Sequence, residues 1–169
     1  MSLPEGYSIR LFKADDAPSL AAITVSAIKR IGLRHYPKEQ VDAWAARHPS
    51  PQRFLNRAEA GALILVATAG TIPVAYALLE EDDDGDGHLD MLYCHQQHTR
   101  LGLADALLRM AEEAARANGS ARIYTKASEL ARPAFERVGY EMTHRRDFSI
   151  EHDGKDVPIH NYAMEKRLK

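Results

Sequence analysis

The chain is poor in the features that would place it quickly. It has a single cysteine, Cys94, so a disulfide framework is excluded and a reducing compartment is expected. Lysine and arginine total 22 against 24 acidic residues, and a net charge of −2 leaves no electrostatic footing for nucleic acid. No apolar run approaches the roughly 20 residues of a membrane span. The opening Met1-Ser2-Leu3-Pro4-Glu5-Gly6 is not a signal peptide, and the expectation is a cytoplasmic protein. No Gly-Lys-Ser/Thr occurs, which removes the triphosphate loop GxxxxGK[ST], and the dinucleotide pattern GxGxxG is absent as well.

What is present is the grammar of a compact enzyme. At 169 residues, 45% hydrophobic and 27% charged, the chain has room for one domain with a real core. A strand is predicted over Tyr7–Leu11, and a helix capped by Asp15 or Asp16 runs to about Ile31, where Gly32 stops it. A helical piece follows Pro37 and breaks at His48-Pro49, and Pro51 opens another to about Ala58. Strands are expected over Ala62–Thr68, Pro73–Glu80 and His88–Cys94, then a long amphipathic helix over Leu101–Asn118, in which Leu103, Ala106, Leu107, Met110, Ala111 and Ala114 recur at the helical spacing of an inward face. Strand Arg122–Thr125, helix Leu130–Val138 and a final hairpin, Glu141–Glu151 with Val157–Lys166, complete the reading; Asp153-Gly154 supplies the hairpin turn.

The segment Asp90 to Leu108, DMLYCHQQHTRLGLADALL, is the most informative: a strand passes through a polar turn into a helix that opens on small residues. Gly102 and Ala104 in the first turn let an anion approach the free backbone N–H groups closely. The helix dipole adds partial positive charge there, and Arg100 adds a full one. Thr99 to Ala104 is therefore a candidate pyrophosphate seat; the plainer alternative is a helix start whose small residues only pack against the preceding strand.

Three stretches together resemble the GNAT acetyltransferase superfamily. Thr99-Arg100-Leu101-Gly102-Leu103-Ala104 is similar to its acyl-coenzyme A loop, Q/R-x-x-G-x-G/A, with Thr99 in the first position. Asp90, Leu92, Tyr93 and Cys94 fall in register with the strand before that loop, and Ser128 to Tyr140 is similar to the late helix N-x-x-A-x-x-x-Y-E-K-x-G-F. There Ser128 stands for Asn and Phe135 for Tyr. The ending Asn161-Tyr162-Ala163-Met164-Glu165-Lys166 resembles small bacterial members that close on N-x-x-M-x-K. The resemblance implies an α+β fold spanning residues 1–169 as one domain, with a central mixed, mostly antiparallel, twisted sheet of about seven strands flanked by helices. It also implies acetyl-CoA as cofactor, held by Leu92, Tyr93, Cys94, Thr99, Arg100, Leu101, Gly102, Leu103, Ala104, Ser128 and Phe135. The partner would be a small-molecule amine, with neither nucleic acid nor membrane involved; a homodimer is left open.

Acetyl transfer to an amine poses two proton problems. An alkyl ammonium of pKa about 10 must first lose a proton, and a positioned carboxylate can take it. Asp90 stands where many relatives carry a Glu base; being one methylene shorter, it is expected to act through a water. Glu80 is the reserve base, with His88 behind it. The second problem is the departing thiolate, which relatives often protonate with the tyrosine that is Phe135 here. A thiol pKa of about 8.5 makes the thiolate a tolerable leaving group without that acid, and a water or another phenol, such as Tyr36, Tyr93 or Tyr124, is the alternative donor. Backbone N–H groups near Tyr93 and Cys94, where the family's strand splays, would polarise the thioester carbonyl. Tyr36 and Trp44, within Arg34–Arg47, are the expected acceptor surface, although core packing explains Trp44 equally well.

Other readings draw on parts of the pattern. Asp82, Asp84, Asp86 and Gly87 reproduce the first half of a calcium loop, but position twelve is Tyr93 and strands flank it. Cys94, His95 and His98 suggest zinc, yet neighbours on a strand face opposite ways, and no metal is expected. Cys94 reads as a small core residue rather than a nucleophile. The departures at Thr99, Ser128 and Phe135 are those of a degenerate acyl-CoA binder without turnover, the alternative to an active N-acetyltransferase.

Overall fold

The computed structural model describes residues 3–34, 36–47 and 50–168. In chain order the elements are β1 (Tyr7–Leu11), α1 (Ala17–Gly32), α2 (Lys38–Ala45), α3 (Pro51–Glu59), β2 (Leu63–Ala69), β3 (Ile72–Glu81), β4 (Gly87–Cys94), α4 (Leu103–Ala117), β5 (Arg122–Ala127), α5 (Arg132–Arg137), β6 (Glu141–His152) and β7 (Lys155–Arg167). The seven strands form one sheet in the order β1-β2-β3-β4-β5-β7-β6. Every neighbouring pair is antiparallel except β4 and β5. The mixed, mostly antiparallel sheet is thus the one expected, and α4 is the crossover that a parallel pair demands. The expected break at His48-Pro49 lies outside the described residues.

Alternation along the central strands builds a core on each face. Ile64 and Val66 of β2 and Tyr76 and Leu78 of β3 pack on α1 and α3 with Leu20 and Phe54. Leu65, Ala67, Ala75, Ala77 and Leu79 face α4, meeting Leu103, Leu107, Leu108, Ala111 and Ala115. Each leucine buried on that face contributes on the order of 2 kcal/mol. A third cluster joins Val41 and Ala45 of α2 to Ile150, Val157 and Ile159 near the tip of the β6–β7 hairpin. That tip turns at Asp153 and Gly154, both at positive φ (51° and 75°), the geometry a two-residue turn of this hand requires.

The buried stripe of α4 is rotated from the one the periodicity suggests. Met110, expected inward, is exposed, while Leu108, Glu112 and Ala115 are buried. The rotation is accommodated because Glu112 finds partners: Lys166 Nζ at 2.8 Å and the Tyr140 hydroxyl at 3.3 Å. The helix also begins two residues later than expected, because Arg100 and Gly102 have φ of 64° and 82° and cannot belong to a right-handed helix. Helix α5 is shorter than expected for a related reason. Residues 128–131 form a turn in which Ser128 Oγ accepts the Ala131 N–H at 3.1 Å.

One irregularity positions the site. Leu78 pairs with Met91 but Leu79 pairs with Leu89, so Asp90 is an extra residue in β4. The bulge breaks the alternation: Leu89 faces α4, whereas Met91, two residues on, faces α1. The pairing of β4 with β5 stops at the same point, Leu89 opposite Thr125. Thr125 Oγ1 donates to the Leu89 carbonyl at 2.8 Å and closes that last rung. Beyond it the two strands part.

Candidate active site

The gap between the parted strands holds two cavities, of about 360 and 380 Å³. They share Trp44, Leu92, Tyr93, Ser128, Ala131 and Phe135 as a common wall. The first runs toward the β6–β7 hairpin and α2; Tyr36, Asp90, Arg146 and His160 line it. The second runs under the start of α4 and is lined by Arg34, Cys94, Gln96, Thr99, Arg100, Ala104 and Asp105. A channel therefore passes between β4 and β5, with a carboxylate on one side and a helix N-terminus on the other.

The β4 edge facing this gap presents unpaired backbone groups. The His95 N–H bonds the Val74 carbonyl at 2.8 Å, so Tyr93, two residues back, also bonds toward β3. Alternation then turns the N–H groups of Leu92 and Cys94 into the gap that β5 has left. At the far end, Gly102 caps α4 without a side-chain acceptor. The first N–H groups of α4, at the positive end of its dipole, are thus left to an outside acceptor, with Arg34 and Arg100 lining the same cavity. Tyr7 Oη meets His98 Nδ1 at 2.8 Å and the Cys94 thiol donates to the His98 carbonyl at 3.3 Å, which fixes the turn between β4 and the α4 loop.

The proposed cofactor residues fall into two groups. Leu92, Tyr93, Cys94, Thr99, Arg100, Ala104, Ser128 and Phe135 line the channel. Leu101, Gly102 and Leu103 do not: Leu101 points outward, and Leu103 is 1% exposed within the core. Only the backbone of these three is available to an anion. Asp105 lines the second cavity, as Arg34 and Arg100 do.

Asp90 lines the first cavity, but not as an isolated carboxylate. Its Oδ2 accepts Arg57 Nη2 at 2.8 Å, and its Oδ1 lies 3.8 Å from His88 Nε2. Glu80, the reserve base, is held by Arg57 through both oxygens and lines neither cavity. Its position at the outer end of the Arg57 bridge turns it into a holder of Arg57 rather than a group facing the channel. His88 stacks on Tyr124, ring centroids 4.8 Å apart, and burial pushes its pKa below the usual histidine value, which keeps the ring neutral near pH 7.

Among the alternative proton donors, Tyr124 is directed away from the channel, its hydroxyl donating to Asp82 at 2.9 Å. Tyr36 faces the cavity with its hydroxyl already engaged: it accepts the Glu129 N–H at 2.7 Å and donates to the His160 carbonyl at 3.3 Å. Tyr93 lines both cavities, and burial raises its pKa well above that of a free phenol, which suits a hydrogen-bond donor better than a proton donor. Burial likewise pushes the Cys94 thiol up to about 11, so it is protonated at neutral pH and is no nucleophile. Phe135 is 3% exposed and packs edge-on to Tyr140 at 5.0 Å. Trp44 is half-buried against Tyr36, ring centroids 5.7 Å apart, and borders both cavities; packing and site are combined in one residue.

Several site residues had no signal in the sequence. Arg57 comes from α3, Arg146 from β6, and His160 from β7, where its Nε2 meets Glu129 Oε2 at 2.6 Å. Arg34, within the expected acceptor segment, lines the second cavity, under the start of α4. The aspartate run is a tight turn: Asp82 Oδ1 accepts the N–H groups of Asp84 and Asp86, and its other oxygen takes Tyr124. Among the described residues no group of three or more His, Cys, Asp or Glu side chains is disposed to hold a metal. No helix among them is long and apolar enough to cross a membrane.

A sheet that opens between two parallel strands, with a bare helix N-terminus at the opening, is the architecture of an acyl-coenzyme A-dependent transferase. Residues 32–165 match the family described as an acetyltransferase (GNAT) domain, and the chain belongs to that family. It is 29% identical over 133 residues to the uncharacterized N-acetyltransferase YafP of Escherichia coli K12, covering 79% of this chain and 80% of that one. A GCN5-related N-acetyltransferase structure from Rhodopseudomonas palustris superposes with a TM-score of 0.83 at 30% identity, over 99% and 98% of the two chains. The PaiA N-acetyltransferase of Thermoplasma acidophilum, crystallised with coenzyme A, shares the fold with a TM-score of 0.76 at 19% identity, over 99% of each.

Proposed function

We propose that the protein is an acetyl-CoA-dependent N-acetyltransferase acting on a small-molecule amine by direct transfer, without a covalent enzyme intermediate. The observation that supports this most is the pair of cavities meeting at the parted strands: Asp90 stands in one, and the uncapped start of α4 opens into the other. The residues suit the cofactor. Arg34, Arg100 and the first N–H groups of α4 offer a seat for a pyrophosphate, the free β4 edge offers main-chain partners for an amide-containing arm, and Phe135 and Leu92 offer apolar walls.

Acetyl-CoA supplies an activated acyl thioester. Asp90, through a water, takes a proton from the acceptor ammonium and frees the nitrogen lone pair for attack on the carbonyl carbon. The N–H groups of Leu92 and Cys94 donate to the oxygen as negative charge builds on it. When the C–S bond breaks, the sulfur would leave as thiolate with Tyr93 near it as a hydrogen-bond donor, and the second proton of the attacking nitrogen would pass to solvent. Arg57 holds Asp90 in place through its 2.8 Å bond to Oδ2. Orienting both reactants across one gap provides the remaining acceleration.

The test is thiol release from acetyl-CoA across amines, amino acids, polyamines, aminoglycosides and peptides, with coenzyme A affinity measured in parallel. Release with at least one acceptor, together with formation of its N-acetyl product, is expected. Coenzyme A binding without release for any acceptor would favour a cofactor-binding domain without turnover, the reading that the Phe135 departure suggests.

A further inference from the structure

The acceptor-side cavity is cationic, although its substrate is expected to be an amine. Arg47, Lys126 and Arg146 line it, against one carboxylate, Asp90, which is already bound by Arg57. Alone near these cations, a simple ammonium would be repelled. Arg146 is also held in place. Its Nη1 donates to Asn161 Oδ1 at 2.9 Å and its guanidinium carbon lies 5.4 Å from the centre of the Phe148 ring. Its neighbour Arg145, on the opposite face of β6, takes the adjacent carboxylate of Asp147 at 3.1 Å. Among the described residues no carboxylate is paired with Arg146, so most of its forked donors remain for a ligand. Around it the wall is apolar: Phe148, Ile150, Ile159, Trp44 and Leu92.

We propose that the acceptor is an amine that carries its own carboxylate, an amino acid with an apolar side chain. Arg146 receives the carboxylate in a two-pronged bond, and the apolar group lies on Phe148, Ile159 and Trp44. The amino group then points past Asp90 toward the gap between β4 and β5. The same cations favour the neutral form of that amine, which eases the loss of its proton before attack. This assignment rests on the transferase reading above.

Steady-state acetylation of matched pairs tests it: phenylalanine against phenylalaninamide and phenethylamine, leucine against 3-methylbutylamine, and spermidine as a cationic acceptor. The expectation is a kcat/KM at least about tenfold higher for each amino acid than for its uncharged-end twin. In Arg146→Gln that ratio should fall toward one through a raised KM for the amino acid, while the decarboxylated twins, freed of one repelling cation, should be used no worse than by the wild type. Arg146→Lys should retain part of the preference, and coenzyme A affinity, measured on every variant, reports on folding. Equal or better use of phenethylamine or spermidine by the wild type, or a ratio unchanged in a folded Arg146→Gln protein, overturns the proposal and leaves the transferase reading standing. Absence of acceptor-dependent thiol release with every amine tried overturns both.

Discussion

Arg57 Nη2 lies 2.8 Å from Asp90 Oδ2, and the same guanidinium also binds Glu80, so one arginine of α3 keeps two carboxylates of neighbouring strands apart. The bulge in β4 lies where Asp90 lines the first cavity, and the arginine occupies its Oδ2. Asp90→Asn should lower kcat by about a hundredfold and shift the pH dependence of turnover upward, with coenzyme A affinity unchanged. Wild-type turnover in that variant would remove Asp90 as the base. Arg57→Leu leaves two part-buried carboxylates facing each other, and its urea midpoint should fall by the equivalent of about 2 kcal/mol.

The loop before α4 makes the next prediction. Gly102 adopts φ of 82°, a conformation that costs a β-branched residue dearly, and its backbone borders the uncapped helix start. Gly102→Val should weaken coenzyme A binding at least about tenfold, measured by calorimetry, while the far-UV spectrum is retained. Unchanged affinity would mean that the anion seat lies elsewhere.

Phe135 separates the two cavities and packs on Tyr140. Phe135→Tyr adds one hydroxyl that can reach the shared gap, so the fold and cofactor affinity should survive, and turnover should stay level or rise. Loss of cofactor binding would show that the ring has no room for that hydroxyl.

Cys94 is chemically quiet because burial holds its thiol near a pKa of about 11. Alkylation by iodoacetamide at pH 7.5 should be slow, rising roughly tenfold per pH unit until that value is approached. Cys94→Ala should acetylate at near wild-type rate. Rapid labelling at neutral pH would contradict the buried-thiol description.

His88 links the site to acid stability. Its folded pKa lies below the unfolded value because burial disfavours the imidazolium. Between the folded pKa and about 6.5 the unfolded chain therefore binds the extra proton, so stability is full above that window and is lost as pH falls through it. Urea unfolding of wild type and His88→Gln between pH 5 and 8 should show a shallower acid loss in the variant. Parallel curves would assign that loss to other groups.

Much of the fold could be read along the chain because it rests on local rules. Unbroken apolar runs mark β2 and β3, alternation marks much of β7, Asp153-Gly154 marks the last hairpin, and the small residues at 102 and 104 mark an unusual helix start. The strand, loop and late-helix letters carried enough of a family's pattern to imply the whole architecture, and the sheet order agrees with it. Asp90, Tyr93 and Phe135 could be named in advance because each sits at a fixed offset within those motifs.

The rest depends on distance in three dimensions. The bulge that turns Asp90 out is a mismatch between two strands, Leu78 with Met91 and Leu79 with Leu89, and neither strand contains it alone. The rotation of α4 follows from a partner for Glu112 that lies 54 residues away. Arg57, Arg146 and His160 reach the channel from three elements far apart in sequence, so their roles have no local spacing to betray them. The letters specified a strand, a loop and a helix with a small-residue start, whereas Arg47, Lys126 and Arg146 came to line one cavity only when the segment after α2, β5 and β6 met beside the open edge of β4, because no local spacing joins them.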